Sequence, residues 1–144
     1  PFPEFIALCK KGKEEGWLKW EPKWRDVVQH ESDNSILLLT YRPAPLYPNG
    51  WQAVDETGNE FFVLTEYLTW LPNEGQLMEI IREACLRCSF CWEPGDFAER
   101  KRNPKTGKWW VSGFVDREQN YDIHVGDADL FLALLKAVQA VKGK

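Results

Sequence analysis

Long apolar runs, catalytic templates and paired metal ligands are all missing from this 144-residue chain, and each absence removes a class of function. No uninterrupted apolar stretch approaches the roughly 20 residues that a membrane-spanning helix needs. There is no Gly-x-Ser-x-Gly elbow, no glycine-rich loop ending in Gly-Lys-Ser/Thr and no His-Glu-x-x-His. A hydrolase nucleophile, a nucleotide-phosphate cradle and a zinc-protease centre therefore have no basis in the sequence. Acidic residues are scattered, with no pair obliged to share a site. Only two histidines accompany the four cysteines, which leaves a metal centre short of ligands. Internal repeats and low-complexity tracts are absent as well. The expectation is a protein without catalytic activity.

What the chain does have is a core and a heavy aromatic load. Hydrophobic residues make up 44%, enough for one domain or two small lobes. Eight Trp and eight Phe can stabilise a modest fold, since each buried aromatic removes roughly 150–250 Å² from water. The net charge of −4 opposes general affinity for nucleic acid or anionic lipid. Residues 1–68 carry that excess acid, seven cations against eleven acids, while residues 69–144 are balanced. The N-terminal residues lack the basic start and apolar run of an export signal. Four cysteines without such a signal read as reduced thiols, so the expected setting is the cytoplasm, with no membrane partner.

Apolar spacing predicts the organisation. Residues 2–11 read as a short helix with Pro3 in its first turn and Gly12 or Gly16 at its end. Residues 25–29, 35–42, 51–55 and 60–64 read as strands, with a hairpin turn at Thr57-Gly58-Asn59 and a three-proline loop at 42–50. This lobe is either a small barrel or an extension of the main sheet. From Thr69 a helical period returns: Asn73 and Gln76 form a capping box, and Leu77, Ile81, Ala84, Cys85 and Cys88 make one apolar stripe. Strands follow at 89–92, 108–115 and 121–125. A last helix is capped by Asp127, with Asp129 in its first turn and apolar residues on two faces. The fold class is thus α+β: a C-terminal α-β-β-β-α unit, an antiparallel sheet packed with helices, over 69–144, plus a small β-rich N-terminal lobe over 1–68.

Trp70-Leu71-Pro72 before Gln76-Leu77, the strand carrying Trp109-Trp110, and the helix Leu130-Phe131-Leu132-Ala133-Leu134-Leu135-Lys136-Ala137 form one set of landmarks. Together they resemble the α/β/α (ABA) sandwich domain of small uncharacterised bacteriophage and prophage proteins, over roughly residues 69–141. Trp20-Glu21-Pro22 followed by Asp26-Val27-Val28 is similar to a Trp-x-Pro-x-x-Gly-Asp element of comparable phage proteins, with Arg25 in place of its Gly. Many such proteins have no assigned activity, so the resemblance implies a phage genomic setting more than a chemistry.

Three constellations could carry a function. Trp17, Trp20 and Trp24 with Tyr47 and Trp51 could form a surface for an unidentified host or phage protein, because exposed Trp and Tyr anchor interfaces; equally they could cover the lobe's core. Arg100, Lys101, Arg102, Lys105 and Lys108 beside Trp109 could grip phosphates and stack on bases; the alternative is a solvated hairpin tip. Cys85, Cys88 and Cys91, with Cys9 as a fourth ligand, have the spacing to meet around zinc or an iron–sulfur cluster; the preferred reading is that Cys85, Cys88 and Cys91 are small buried hydrophobes, with no cofactor. A Cys91–His124 nucleophile–base pair is conceivable but nothing in the spacing requires it, and His30 reads as solvated. The leading expectation is a phage or prophage accessory protein acting through protein contacts.

Overall fold

A computed structural model of the chain describes residues 2–41, 48–94, 107–114 and 123–143. In chain order the described elements are helix α1 (Phe2–Glu15), strands β1 (Val27–His30), β2 (Ile36–Tyr41), β3 (Gly50–Val54), β4 (Glu60–Leu64) and β5 (Leu68–Trp70), helix α2 (Glu74–Ala84), strands β6 (Arg87–Glu93), β7 (Lys108–Phe114) and β8 (Ile123–Asp127), and helix α3 (Leu130–Lys142). Both sheets are antiparallel, so the class is α+β. Residues 1–18 and 73–144 cluster as one compact unit and residues 19–72 as another. The boundary drawn after residue 68 thus falls after Pro72, because β5 pairs with β1 and stays with the β-rich lobe. Helix α1 belongs with the C-terminal elements instead. The Phe5 ring meets Phe131 of α3 edge-on at 5.5 Å.

In the helical unit, α1 buries Phe5, Cys9 and Gly12, a spacing of four then three that defines one face. Gly12 lies inside the helix, where an added Cβ would come 2.7 Å from Leu18 Cβ and 2.9 Å from Trp17 Cη2. Gly16 ends it at φ +82°, a conformation that suits glycine. Helix α2 opens with the expected box: Asn73 Oδ1 accepts from the Gln76 amide at 2.8 Å and Gln76 Oε1 from the Asn73 amide at 2.9 Å. Leu77 and Ile81 are fully buried. The stripe does not run on through Cys85 and Cys88. Cys85 is already extended (φ −114°, ψ 142°), and the Leu86 amide donates to the Phe114 carbonyl, so pairing with β7 captures the chain and ends the helix at Ala84.

The three-stranded sheet has the order β6-β7-β8. Helix α3 packs on β7, β8, α2 and α1, which explains its two apolar faces: Leu132, Ala133, Leu134, Leu135, Ala137 and Val138 are all buried. Its cap is Asp129, whose carboxylate accepts from the Leu132 amide at 3.1 Å. Asp127, expected at that position, is the last residue of β8. It receives the Asp129 amide at 2.9 Å and the Lys136 ammonium at 2.6 Å. Partial burial pushes the Asp127 carboxyl up, but those hydrogen bonds and the Lys136 and Lys108 charges outweigh it and hold the group below its ordinary range.

The unit of residues 19–72 is one five-stranded sheet, β4-β3-β2-β1-β5, separate from the three-stranded sheet. Strand β5, preceded by a 3₁₀ turn at Thr65–Tyr67, occupies residues expected to lead straight into a helix. Val28, Leu37, Leu39, Trp51, Ala53, Val63 and Leu68 form its core, with Trp20 packed against it. Just before β1, the buried Asp26 carboxylate accepts from Trp20 Nε1 at 2.8 Å and from the Lys23 amide at 2.9 Å. Arg25 sits at φ 70°, where a side chain is strained and glycine is not. The spacing of Trp20, position 25 and Asp26 therefore has a structural reason: the indole reaches back to the carboxylate through a left-handed step.

Three outcomes follow from this geometry. In urea titrations, Asp129→Ala should cost about 0.5–2 kcal/mol and Asp129→Asn much less, because asparagine also caps. Arg25→Gly should hold or raise stability by up to about 1 kcal/mol, whereas Asp26→Ala, which strands an indole and an amide donor, should cost about 1–3 kcal/mol. Asp127 has a depressed value in the folded state. Its contribution is present above its unfolded value near about pH 4 and is lost as pH falls through the folded value, amounting to about 1 kcal/mol or less for so exposed a lysine partner. Asp127→Asn should flatten that acid limb in a pH series.

Candidate protein-binding surface

The tryptophans singled out in the sequence do not assemble into a surface. Trp17 and Trp51 are each only 6% exposed, and they belong to different units. Trp20 is half-buried and tied to Asp26. Trp24 alone stands out, 66% exposed, with the Arg25 guanidinium 5.0 Å from its ring centre. Tyr47 lies outside the described residues. Trp51 lies in the core of the five-stranded sheet with Trp20 packed against it, whereas Trp17 is buried in the helical unit.

An apolar surface does exist, built from other residues. Strand neighbours point to opposite faces, so Val28, Leu37, Leu39, Ala53 and Val63 turn to the core while Val27, Leu38, Val54 and Phe62 turn away. The register sets Val27 beside Leu38 and Leu38 beside Val54. An irregularity between Leu39 and Tyr41 swings Tyr41 onto the same outer face, opposite Gln52, which in turn faces Phe62. Tyr41 is 62% exposed, and Val27 and Phe62 are exposed too. The signal for this face was present in the runs Ile36-Leu37-Leu38-Leu39 and Phe61-Phe62-Val63. Apolar residues without alternation cannot all enter one core, so antiparallel strands made of them must be apolar on both sides.

Among the described residues, a cavity opens in each unit. The first, of about 170 Å³, lies between the β1–β2 turn and β4. Leu37 and Val63 are buried in its lining, Phe61 stands exposed in its wall, and His30, Asp33 and Ser35 supply polar atoms. Ser32 fixes the imidazole: its amide donates to His30 Nδ1 at 3.1 Å, which selects the tautomer carrying its proton on Nε2. Asp33 Oδ1 accepts from the Ser35 hydroxyl at 2.7 Å and the Ser35 amide at 3.0 Å. Those bonds lower the Asp33 carboxyl below its ordinary range, so it carries its charge at neutral pH. The second cavity, of about 210 Å³, is lined by Phe2, Phe5, Phe131 and Asp129.

No family model, curated protein or solved structure matches the chain.

The four thiols are dispersed. Cys9 is fully buried in α1, Cys85 and Cys88 are half-buried, and Cys91 is exposed. The expectation that Cys85, Cys88 and Cys91 are all buried fails at Cys91. It lies in β6 three residues from Cys88, an odd step that puts the two on opposite faces of the strand. The same parity prevents Cys88 and Cys91 from meeting around an ion, and among the described residues no group of three His, Cys, Asp or Glu is placed to hold a metal. Cys91 and His124 are also apart. Cys91 pairs with Trp110 on β7, while His124 of β8 stacks on Trp110 at 4.5 Å and its Nδ1 lies 2.8 Å from Ser112 Oγ.

Of the basic hairpin, Arg100, Lys101, Arg102 and Lys105 lie outside the described residues. Lys108 is exposed and pairs across the ladder with Glu93. Trp109 is half-buried with its ring 5.2 Å from that of Trp92, so its neighbour already occupies part of the surface a base would need.

Thiol chemistry tests this distribution. Burial pushes Cys9 up to about 12. In the folded protein at pH 8, a maleimide should modify Cys91 first and Cys9 only after denaturant is added. Because the Cys9 value is raised in the folded state, its contribution to stability should decline from about pH 8.5 upward, where the unfolded thiol begins to ionise.

Proposed function

We propose that the protein is a non-enzymatic accessory protein of a phage or prophage, working in the bacterial cytoplasm by binding another protein. The observation that carries the reading is the apolar outer face of the five-stranded sheet, where Tyr41, Val27 and Phe62 lie exposed around Leu38 and Val54. Contiguous apolar patches bordered by polar residues mark contact sites in soluble proteins. Tyrosine and phenylalanine there supply area that is rigid and cheap to order. The phage setting rests on the short landmarks around Trp70 and Trp109 and on the element from Trp20 to Asp26. Among the described residues, no helix is long and apolar enough to cross a membrane.

Affinity capture decides between contact through this face and contact elsewhere. Bait carrying Tyr41→Ser with Leu38→Ser should lose most of a bacterial partner that the unaltered chain retains, at least tenfold by quantitative mass spectrometry, while circular dichroism stays native. Identical recovery by both baits would remove the outer face from the interaction.

A further inference from the structure

We propose that the cavity between the β1–β2 turn and β4 receives a guanidinium side chain from a basic partner protein. This deepens the protein-binding reading and rests on it; the cavity shares Phe62 with the outer apolar face and otherwise has its own lining. Three observations converge on that occupant. The first is charge. Residues 19–72 hold the whole net charge of −4, four cations against eight acids, so this unit attracts basic partners. The second is the acid itself. Asp33 is ionised and exposed, and both its Ser35 hydrogen bonds fall on Oδ1, so its carboxylate has capacity to accept a further bond. The third is the wall. Phe61 lines the cavity with part of its surface exposed, over a floor of Leu37 and Val63.

A carboxylate beside an aromatic surface and an apolar floor suits arginine better than lysine. The guanidinium is planar, weakly hydrated and able to stack while it donates hydrogen bonds; the ammonium keeps its water. The cavity, at about 170 Å³, admits a single side chain and excludes a folded element. The His30 ring, which also lines the cavity, is hydrogen-bonded by Ser32 and lies 6.5 Å from the Tyr67 ring. Preformed walls reduce the ordering that binding would otherwise require.

The experiment is selection of a random dodecapeptide display library on the full chain, repeated on Asp33→Asn. The amide at position 33 still accepts from Ser35, so the turn should persist. Enriched peptides should share an arginine flanked by apolar residues, and that arginine should vanish from the Asp33→Asn selection. A synthesised winner should bind at least tenfold more weakly with citrulline in place of arginine, and at least fivefold more weakly at 500 mM than at 50 mM salt. Its amide chemical-shift changes should centre on residues 30–35 and 61–63. Enrichment without a basic residue, an unchanged motif on Asp33→Asn, equal binding of the citrulline peptide, or no enrichment overturns the proposal. So does a concentration-dependent dimer that Asp33→Asn dissolves, which would make the occupant a second copy. Peptides that respond to Tyr41→Ser but not to Asp33→Asn would overturn this cavity's role and leave the protein-binding reading standing.

Discussion

Asp26 holds the β-rich unit in order. Its side chain draws in the Trp20 indole and the Lys23 amide, and its backbone carbonyl receives the Leu39 amide, so one residue joins the half-buried Trp20 to the start of the sheet. Strand β1 begins immediately after it, with β2 on one side and β5 on the other. Val28 stands opposite Leu37 and Trp70, and that register fixes the parity of every strand beyond it. A slip of one residue would carry Val27 and Leu38 into the core and expel Val28 and Leu37. The outer apolar face and the cavity by β4 both depend on that choice. The strain at Arg25 is tolerated because the indole–carboxylate bond and the ladder bonds on either side determine the backbone there.

The helical unit solves a different problem. Among the described residues its sheet has three strands, and α3 packs on it, on α1 and on α2 with six of its residues buried. Alanines at 133 and 137 make this feasible, since small side chains let neighbouring elements approach the helix closely. The half-burial of Cys85 and Cys88 follows from the same arrangement. A Cβ at Gly113 would lie 2.9 Å from Cys85 Sγ, so the sulfur occupies the space that glycine leaves on β7. These thiols act as packing atoms, and Cys91 differs only because its strand position turns it outward.

Most of the architecture was legible where a period and a cap agreed. The capping box at Asn73 and the α-β-β-β-α order are examples, since helical spacing, strand alternation and turn residues pointed to one answer. The misplacements share a cause. Asp127 and Asp129 are both good caps, and only the pairing of β8 with β7 out to Asp127 decides which begins the helix. Cys85 continues a helical stripe on paper, yet the Leu86 amide finds a partner on β7. The short β5 strand has no signature of its own and exists because β1 offers it an edge. In each case a tertiary hydrogen bond overrode a local preference, which is information no window of sequence contains.

The apolar outer face was harder to see for a further reason. Tryptophan drew attention because it anchors interfaces, but the property that makes it an anchor, a large apolar area, is also what places it in a core. In a small sheet the core has first claim, as Trp51 shows. The more discriminating signal is an apolar residue that parity forbids from the core. Leu38 lies between Leu37 and Leu39, both buried, and must therefore face outward whatever its chemistry. Its apolar character costs solubility and contributes nothing to the inner core, and the same holds for Val54 and Phe62 along their strands. Three such positions in adjacent strands, with Tyr41 exposed beside Gln52, make the outer face apolar on both sides of the polar residues Gln52 and Glu60.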